Sequence, residues 1–125
     1  MTRKFLGISV TPTAVQNEGL QAVMDRIQAT GANAISTGTA LSQPAERGQG
    51  YREPPLDIDG YERLLDRPLW GQRELYLQSY RTYAYDEALF ADTPYRPGGQ
   101  LAPAGLDRDL PHKIIAEAHS RGLAA

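Results

Sequence analysis

The sequence predicts an α/β fold assembled from successive strand–helix units, and three observations carry that prediction. Two helical stretches each end on a glycine and run at once towards an apolar strand, in ATGANAIS (29–36) and again in HSRGLAA (119–125). An apolar, partly β-branched run, FLGISV (5–10), precedes the first of these helices. Between the two units lie 73 residues, Thr37 to Asp109, of a different character, holding all seven tyrosines, the only tryptophan and most of the prolines and glycines.

Taken in order, residues 5–10 read as a strand buried on both faces. The first helix is expected to begin near Asn17 and Glu18, with Asn17 as N-cap and the Glu18 carboxylate beside the positive helix end. Leu20, Val23, Met24 and Ile27 fall at i, i+3, i+4 and i+7, which places them on one face. Gly31 supplies the left-handed stop, and 32–36 form the next strand. At the other end Asp109 is placed to cap a second helix, with Pro111 in its first turn, where a missing N–H costs little. Leu110, Ile114, Ile115 and Ala118 make its buried stripe, Glu117 and Arg121 an i, i+4 ion pair, and Gly122 its stop. Within the long segment, residues 73–80 alternate well enough for a strand, and Leu89 and Phe90 anchor a short helical turn.

Successive units of this kind imply a mainly parallel sheet with helical cover. Two full strands and a fragment do not close a barrel, and a (β/α)8 barrel takes about 250 residues. The chain is therefore expected to be the N-terminal part of such a barrel: a single partial domain, 1–125, with strand–helix–strand over 5–36. A long insertion between the second strand and second helix then covers 37–109, and the second helix with the start of a third strand covers 110–125. On this reading Ala125 is not the end of the fold. The bland alternative is a small α+β domain, completed by dimerisation.

Composition excludes some classes of function. The formal net charge is −2 and the basic residues are dispersed, so nucleic acid is not an expected partner. Without cysteine there is no disulfide, thiolate metal site or cysteine nucleophile. The apolar run at 5–10 is too short for a signal peptide and no segment approaches a membrane span, so a soluble chain without a membrane partner is expected. His112 and His119 share a helix face but sit two turns apart, about 10 Å of rise, too far to bind one metal. No cofactor motif is present: GQG (48–50) lacks the strand–GxGxxG–helix setting, and neither a GxxxxGK[ST] nor a GxSxG string occurs.

The strings FLGISVTPTAV, DRIQATGANAIS, LLDRPLWGQRELYLQSY and AHSRGL together resemble the N-terminal part of glycoside-hydrolase-like TIM-barrel proteins, with DRPLWGQREL (66–75) the most distinctive piece. The resemblance covers nearly the whole chain. It implies hydrolysis of a glycosidic bond by paired carboxylates on later strands, so no catalytic residue is assigned within 1–125. Two alternatives stand beside it: a sugar isomerase or epimerase barrel with a divalent metal, and a non-catalytic carbohydrate- or partner-binding module. Open strand edges would also favour self-association.

In a barrel the insertion would lie at the carboxyl ends of the strands, where active sites form. Aromatic rings with polar edges stack on the C–H faces of sugars, which makes the insertion a candidate carbohydrate surface. Trp70 and Tyr76, near the charged Asp66, Arg67 and Arg73, are the expected ligand contacts; the other rings are expected to build the insertion's own small core. Thr37, with Ser36 and Thr39 after the second strand and Thr11 and Thr13 after the first, is placed either to bond sugar hydroxyls or to cap loops.

Overall fold

A computed structural model describes residues 4–53 and 75–125. The chain divides into two compact units, one made of 1–41 with 80–125 and the other of 42–79. Its elements are β1 (Gly7–Val10), α1 (Pro12–Glu18), α2 (Leu20–Ala29), β2 (Ala34–Thr37), β3 (Ala40–Pro44), β4 (Tyr51–Glu53) and β5 (Leu75–Arg81), then a 3-10 turn (Glu87–Phe90), β6 (Gln100–Leu101) and α3 (Leu110–Ser120).

In the first unit β1 and β2 are parallel, with Ile8 opposite Ile35 and Val10 opposite Thr37. Helices α1, α2 and α3 contribute to the core on one face of this pair. Val10 and Ile35 pack with Val15 of α1, Val23, Met24 and Ile27 of α2, and Ile114 and Ala118 of α3. Of the predicted stripes, Val23, Met24, Ile27, Ile114 and Ala118 are buried, Leu20 and Leu110 pack at the core's margin, and Ile115 lies outside it. Asn33 fastens the amino end of the sheet. Its side chain accepts from the Leu6 N–H at 2.9 Å and donates to the Lys4 carbonyl at 2.6 Å. Its own carbonyl accepts from the Ala124 N–H at 3.0 Å. Ala124 in turn forms a single parallel bridge with Ala34.

The strand at the N-terminus is shorter and less buried than expected. It starts at Gly7, Phe5 is 80% exposed, and Ser9 faces solvent. The reason is one-sided cover: the helices take the Ile8–Val10 side, and Gly7, Ser9 and Ser36 are exposed on the other.

The first helix also differs. Asn17 and Glu18 end a helix instead of starting one. Helix α1 begins at Pro12, capped by Thr11, whose side chain accepts from the Ala14 N–H at 3.4 Å. This is the same use of proline in a first turn as at Pro111. Gly19, with φ +89° and ψ 145°, then serves as C-cap of α1 and N-cap of α2. Its backbone lies near a region open almost only to glycine, so the helical path bends there and restarts. Glu18 and Arg26 form an ion pair across the joint.

The glycine stops behave as expected. After α3 the Gly122 N–H reaches the His119 carbonyl at 3.0 Å and the Leu123 N–H reaches that of Ala118 at 2.9 Å, the paired bonds of a Schellman motif. After α2 the Gly31 N–H bonds the Gln28 carbonyl at 3.0 Å, while the Thr30 hydroxyl bonds that of Ile27 at 2.6 Å. Asp109 occupies the N-cap of α3 without a side-chain cap bond.

The expected N-terminal part of a (β/α)8 barrel is not what forms. The described residues make three helices and two small sheets, and only β1 and β2 pair as parallel strands of a strand–helix–strand unit. The long segment after β2 does not act as a loop on a barrel. Its strands satisfy their backbone groups on one another, in the order β3-β5-β4 with β6 added to β5. Within the second unit β4 runs antiparallel to β5, pairing Tyr51 with Leu77, and the Ala45 N–H reaches the Tyr76 carbonyl at 2.8 Å. Buried Ser42 bonds the Tyr51 hydroxyl at 3.3 Å. The antiparallel pairing of β4 with β5 departs from the parallel order that a barrel requires. No helix among the described residues is long and apolar enough to cross a membrane.

Candidate functional site

The residues that gather in space are not those the sequence singled out. Asp66, Arg67, Trp70 and Arg73 lie outside the described residues. Tyr76 lies on β5 opposite Arg52 and is half-buried, so its backbone carries part of the sheet. Thr37 closes β2, and its hydroxyl is buried with no hydrogen-bond partner. Of the other hydroxyls near the strand ends, those of Ser36 and Thr11 have partners. Ser36 meets Ser9 at 3.2 Å, Thr11 caps α1, and the Thr39 carbonyl accepts from the Thr82 hydroxyl at 2.6 Å. Ser36 and Thr11 thus divide between pairing and capping, and among the described residues the Thr37 hydroxyl is buried and unmatched.

An aromatic group forms further along the first unit, where the chain leaves β5. Arg81 ends the strand, and its guanidinium lies over the Tyr85 ring, 4.2 Å from the centroid. Tyr83 meets Tyr85 edge to face at 5.7 Å and Phe90 does the same at 5.9 Å. Edge-to-face contact satisfies the ring quadrupoles, and a cation over a ring face is attracted by the same charge distribution. The Tyr85 hydroxyl donates to the Gly98 carbonyl. Arg81 Nη1 donates to the Tyr83 carbonyl at 2.5 Å, which fixes the guanidinium against the turn it stacks upon.

The neighbouring 3-10 turn is set by Asp86, whose carboxylate accepts from the Ala88 N–H at 3.1 Å. It carries Phe90 inward to Tyr85 and leaves Leu89 73% exposed. Tyr83 is 49% exposed and Tyr95 is 71% exposed. Tyr85 is thus the fixed centre, and Tyr83 and Tyr95 are the rings that solvent or a ligand can reach.

The sequence carried a signal for this group. Arg81, Tyr83 and Tyr85 alternate at i, i+2 and i+4 directly after a strand, so an extended chain puts all three on one side. Tyr83, Tyr85 and Phe90 meet edge to face, yet Tyr83 is exposed and Tyr85 and Phe90 are half-buried, so this contact is not the small core expected of the insertion's rings.

Charge around the start of α3 is arranged in exposed pairs. Lys113 lies 2.6 Å from Asp107. The hydrogen bond from Lys113 holds the Asp107 carboxyl below the usual aspartate range, and the same bond raises Lys113. His112 lies 3.3 Å from Asp109 on the surface of α3. No group of three histidine, aspartate or glutamate side chains able to hold a metal ion occurs among the described residues.

The molecule is a small mixed α/β protein with an exposed tyrosine surface beside a stacked arginine. No protein-family model matches the chain, and neither the curated proteins nor the solved structures give a match.

Proposed function

We propose that the chain binds carbohydrate without turning it over, through the exposed ring of Tyr83 held against Tyr85. One observation carries this reading: Tyr83 is half-exposed yet held in a fixed orientation against Tyr85, which Arg81 and Phe90 hold in turn. A ring that is already ordered loses little entropy when a sugar stacks on it. Its apolar face suits the axial C–H groups of a pyranose, and its hydroxyl offers a hydrogen bond. The resemblance to glycoside-hydrolase-like proteins is consistent with a sugar ligand, while hydrolysis is not part of this proposal.

Affinity electrophoresis of the folded chain through gels containing soluble polysaccharides tests the reading. Retardation by at least one polysaccharide is expected, and Tyr83→Ala should abolish it while the melting temperature stays within a degree or two, as for an exposed side chain. Migration unaffected by every glycan would sink the proposal. A protein partner is the second reading, favoured by Leu89 standing exposed on the same segment. Under that reading Leu89→Ser would weaken binding to the partner and leave migration in polysaccharide unchanged.

A further inference from the structure

We propose that Arg81 is a positioning residue: it sets the orientation of the Tyr83 ring from inside the protein and touches no ligand itself. The inference rests on the carbohydrate reading above.

Arg81 reaches Tyr83 by two routes. Its Nη1–H donates to the Tyr83 carbonyl at 2.5 Å, which holds the backbone that carries the ring. Its guanidinium also lies over the Tyr85 ring, 4.2 Å from the centroid, and Tyr85 meets Tyr83 edge to face at 5.7 Å. The hydrogen bond fixes where the Tyr83 side chain starts, and the stacked ring fixes what it rests against.

Arg81 is itself anchored by the sheet. It pairs with Leu101 in the parallel register of β5 and β6, and its carbonyl accepts from the Ala102 N–H at 2.8 Å. Two residues before β6 begins, the Gly98 carbonyl accepts from the Tyr85 hydroxyl. A closed circuit results: β5 to β6 through the ladder, β6 to Tyr85 through Gly98, and Tyr85 back to Arg81 through its ring face. Tyr83 therefore rests on a frame tied to the sheet, although it is itself 49% exposed.

The burial of Arg81 Nε fits an internal strut. That nitrogen is buried and finds no acceptor. An unmatched buried donor costs stability, and an apolar side chain of similar length avoids the cost. Stability alone therefore does not ask for arginine at 81. What an apolar residue lacks is the bond to the Tyr83 carbonyl together with the attraction of a cation to the Tyr85 face. Ordering the ring beforehand lowers the entropy lost when a ligand stacks on it.

Two measurements on the intact chain test this. The first is carbon-13 relaxation of the tyrosine rings without ligand. Tyr83 should be as ordered as Tyr85, whereas Tyr95, 71% exposed and without a ring contact among the described residues, should be mobile. In Arg81→Met the Tyr83 ring should become as mobile as that of Tyr95. The second is affinity electrophoresis in a polysaccharide that retards the unaltered chain. Arg81→Met should raise the dissociation constant roughly two- to tenfold, the cost of ordering one side chain on binding. Its melting temperature should stay within a degree or two, because the unmatched donor goes and the freed Tyr83 carbonyl belongs to an exposed residue that water reaches. Arg81→Lys, which keeps the cation, should recover part of the affinity. Arg47→Met makes the same charge change at an exposed residue elsewhere and should bind like the unaltered chain. A mobile Tyr83 ring in the unaltered chain overturns the inference without any variant, and so does Arg81→Met retarded as strongly as the unaltered chain. A melting temperature that drops by several degrees together with the affinity makes Arg81 an ordinary structural residue and overturns it as well. Each of these results leaves the carbohydrate reading standing as long as the unaltered chain is retarded. An unaltered chain that no polysaccharide retards sinks that reading and this inference with it.

Discussion

Arg121 and Asp25 are 96 residues apart in sequence, and the Arg121 Nη1 lies 2.6 Å from the Asp25 carboxylate. The same guanidinium bonds Gln28 at 2.8 Å, Gln21 at 2.6 Å and Glu117 at 2.8 Å. Gln21, Asp25 and Gln28 form one polar line along α2, so a single side chain at the end of α3 clamps the two helices together. Only the Glu117 contact was legible from spacing, because the other three depend on how the helices pack.

Arg121→Ala should lower the melting temperature by several degrees and speed amide exchange at Gly122 to Ala124, where the chain turns towards the bridge with Ala34. Arg121 side-chain exposure is only 14%, so its loss removes a packed guanidinium along with its bonds to Asp25, Gln21, Gln28 and Glu117. Exchange rates at 122–124 equal to those of the unaltered chain would show that the clamp does not hold this segment. A double-mutant cycle with Asp25→Ala isolates the one pair from the network.

Gly19→Ala should destabilise the first unit by about 1–3 kcal/mol, the cost of forcing a side chain into a backbone region that glycine alone occupies freely. The open space around Gly19 leaves backbone strain as the only cause, since an added methyl meets nothing within 4 Å. Urea melts measure it. An unchanged midpoint would mean that α1 and α2 can merge into one helix.

Thr37→Val should leave stability unchanged or raise it by up to about 1 kcal/mol, because the hydroxyl it removes is buried without a partner and the replacement keeps the shape. Thermal melts decide this. A loss of a kilocalorie or more would mean that the hydroxyl is satisfied in solution, and a ligand or water bound there would be the next thing to seek.

The Asp107–Lys113 pair predicts a pH dependence with a defined sign. Asp107 has its pKa lowered in the fold by the Lys113 hydrogen bond, so its contribution is present above the unfolded aspartate value, about 4, and is lost as pH falls through the folded value. Lys113 is raised, so its contribution is full below the unfolded lysine value, about 10.4, and disappears as pH climbs through the folded one. Both groups are exposed and salt screens them, so the effect is small. Lys113→Met should flatten the acid limb of a melting-temperature profile between about pH 5 and 2 in low salt. An acid limb of unchanged slope would show that the pair contributes nothing.

By itself the sequence determined the elements whose signals are local. Helical periodicity marked the buried faces of α2 and α3, and Gly31 and Gly122 marked their ends, because a positive φ is a property of one residue and its neighbours. The helix start was misplaced because Asn17 and Thr11 are both good caps, and local chemistry does not rank them; the break at Gly19 and the proline at 12 decided for Thr11. Tertiary structure alone decided the rest. Strands that read as extended carry no label naming their partner, so the antiparallel pairing of β4 with β5, which set aside the barrel, emerged only from register and backbone satisfaction. The candidate site lies between the two: Arg81, Tyr83 and Tyr85 alternate within one short stretch, but the return of Phe90 onto Tyr85 was decided by the turn of the chain after β5.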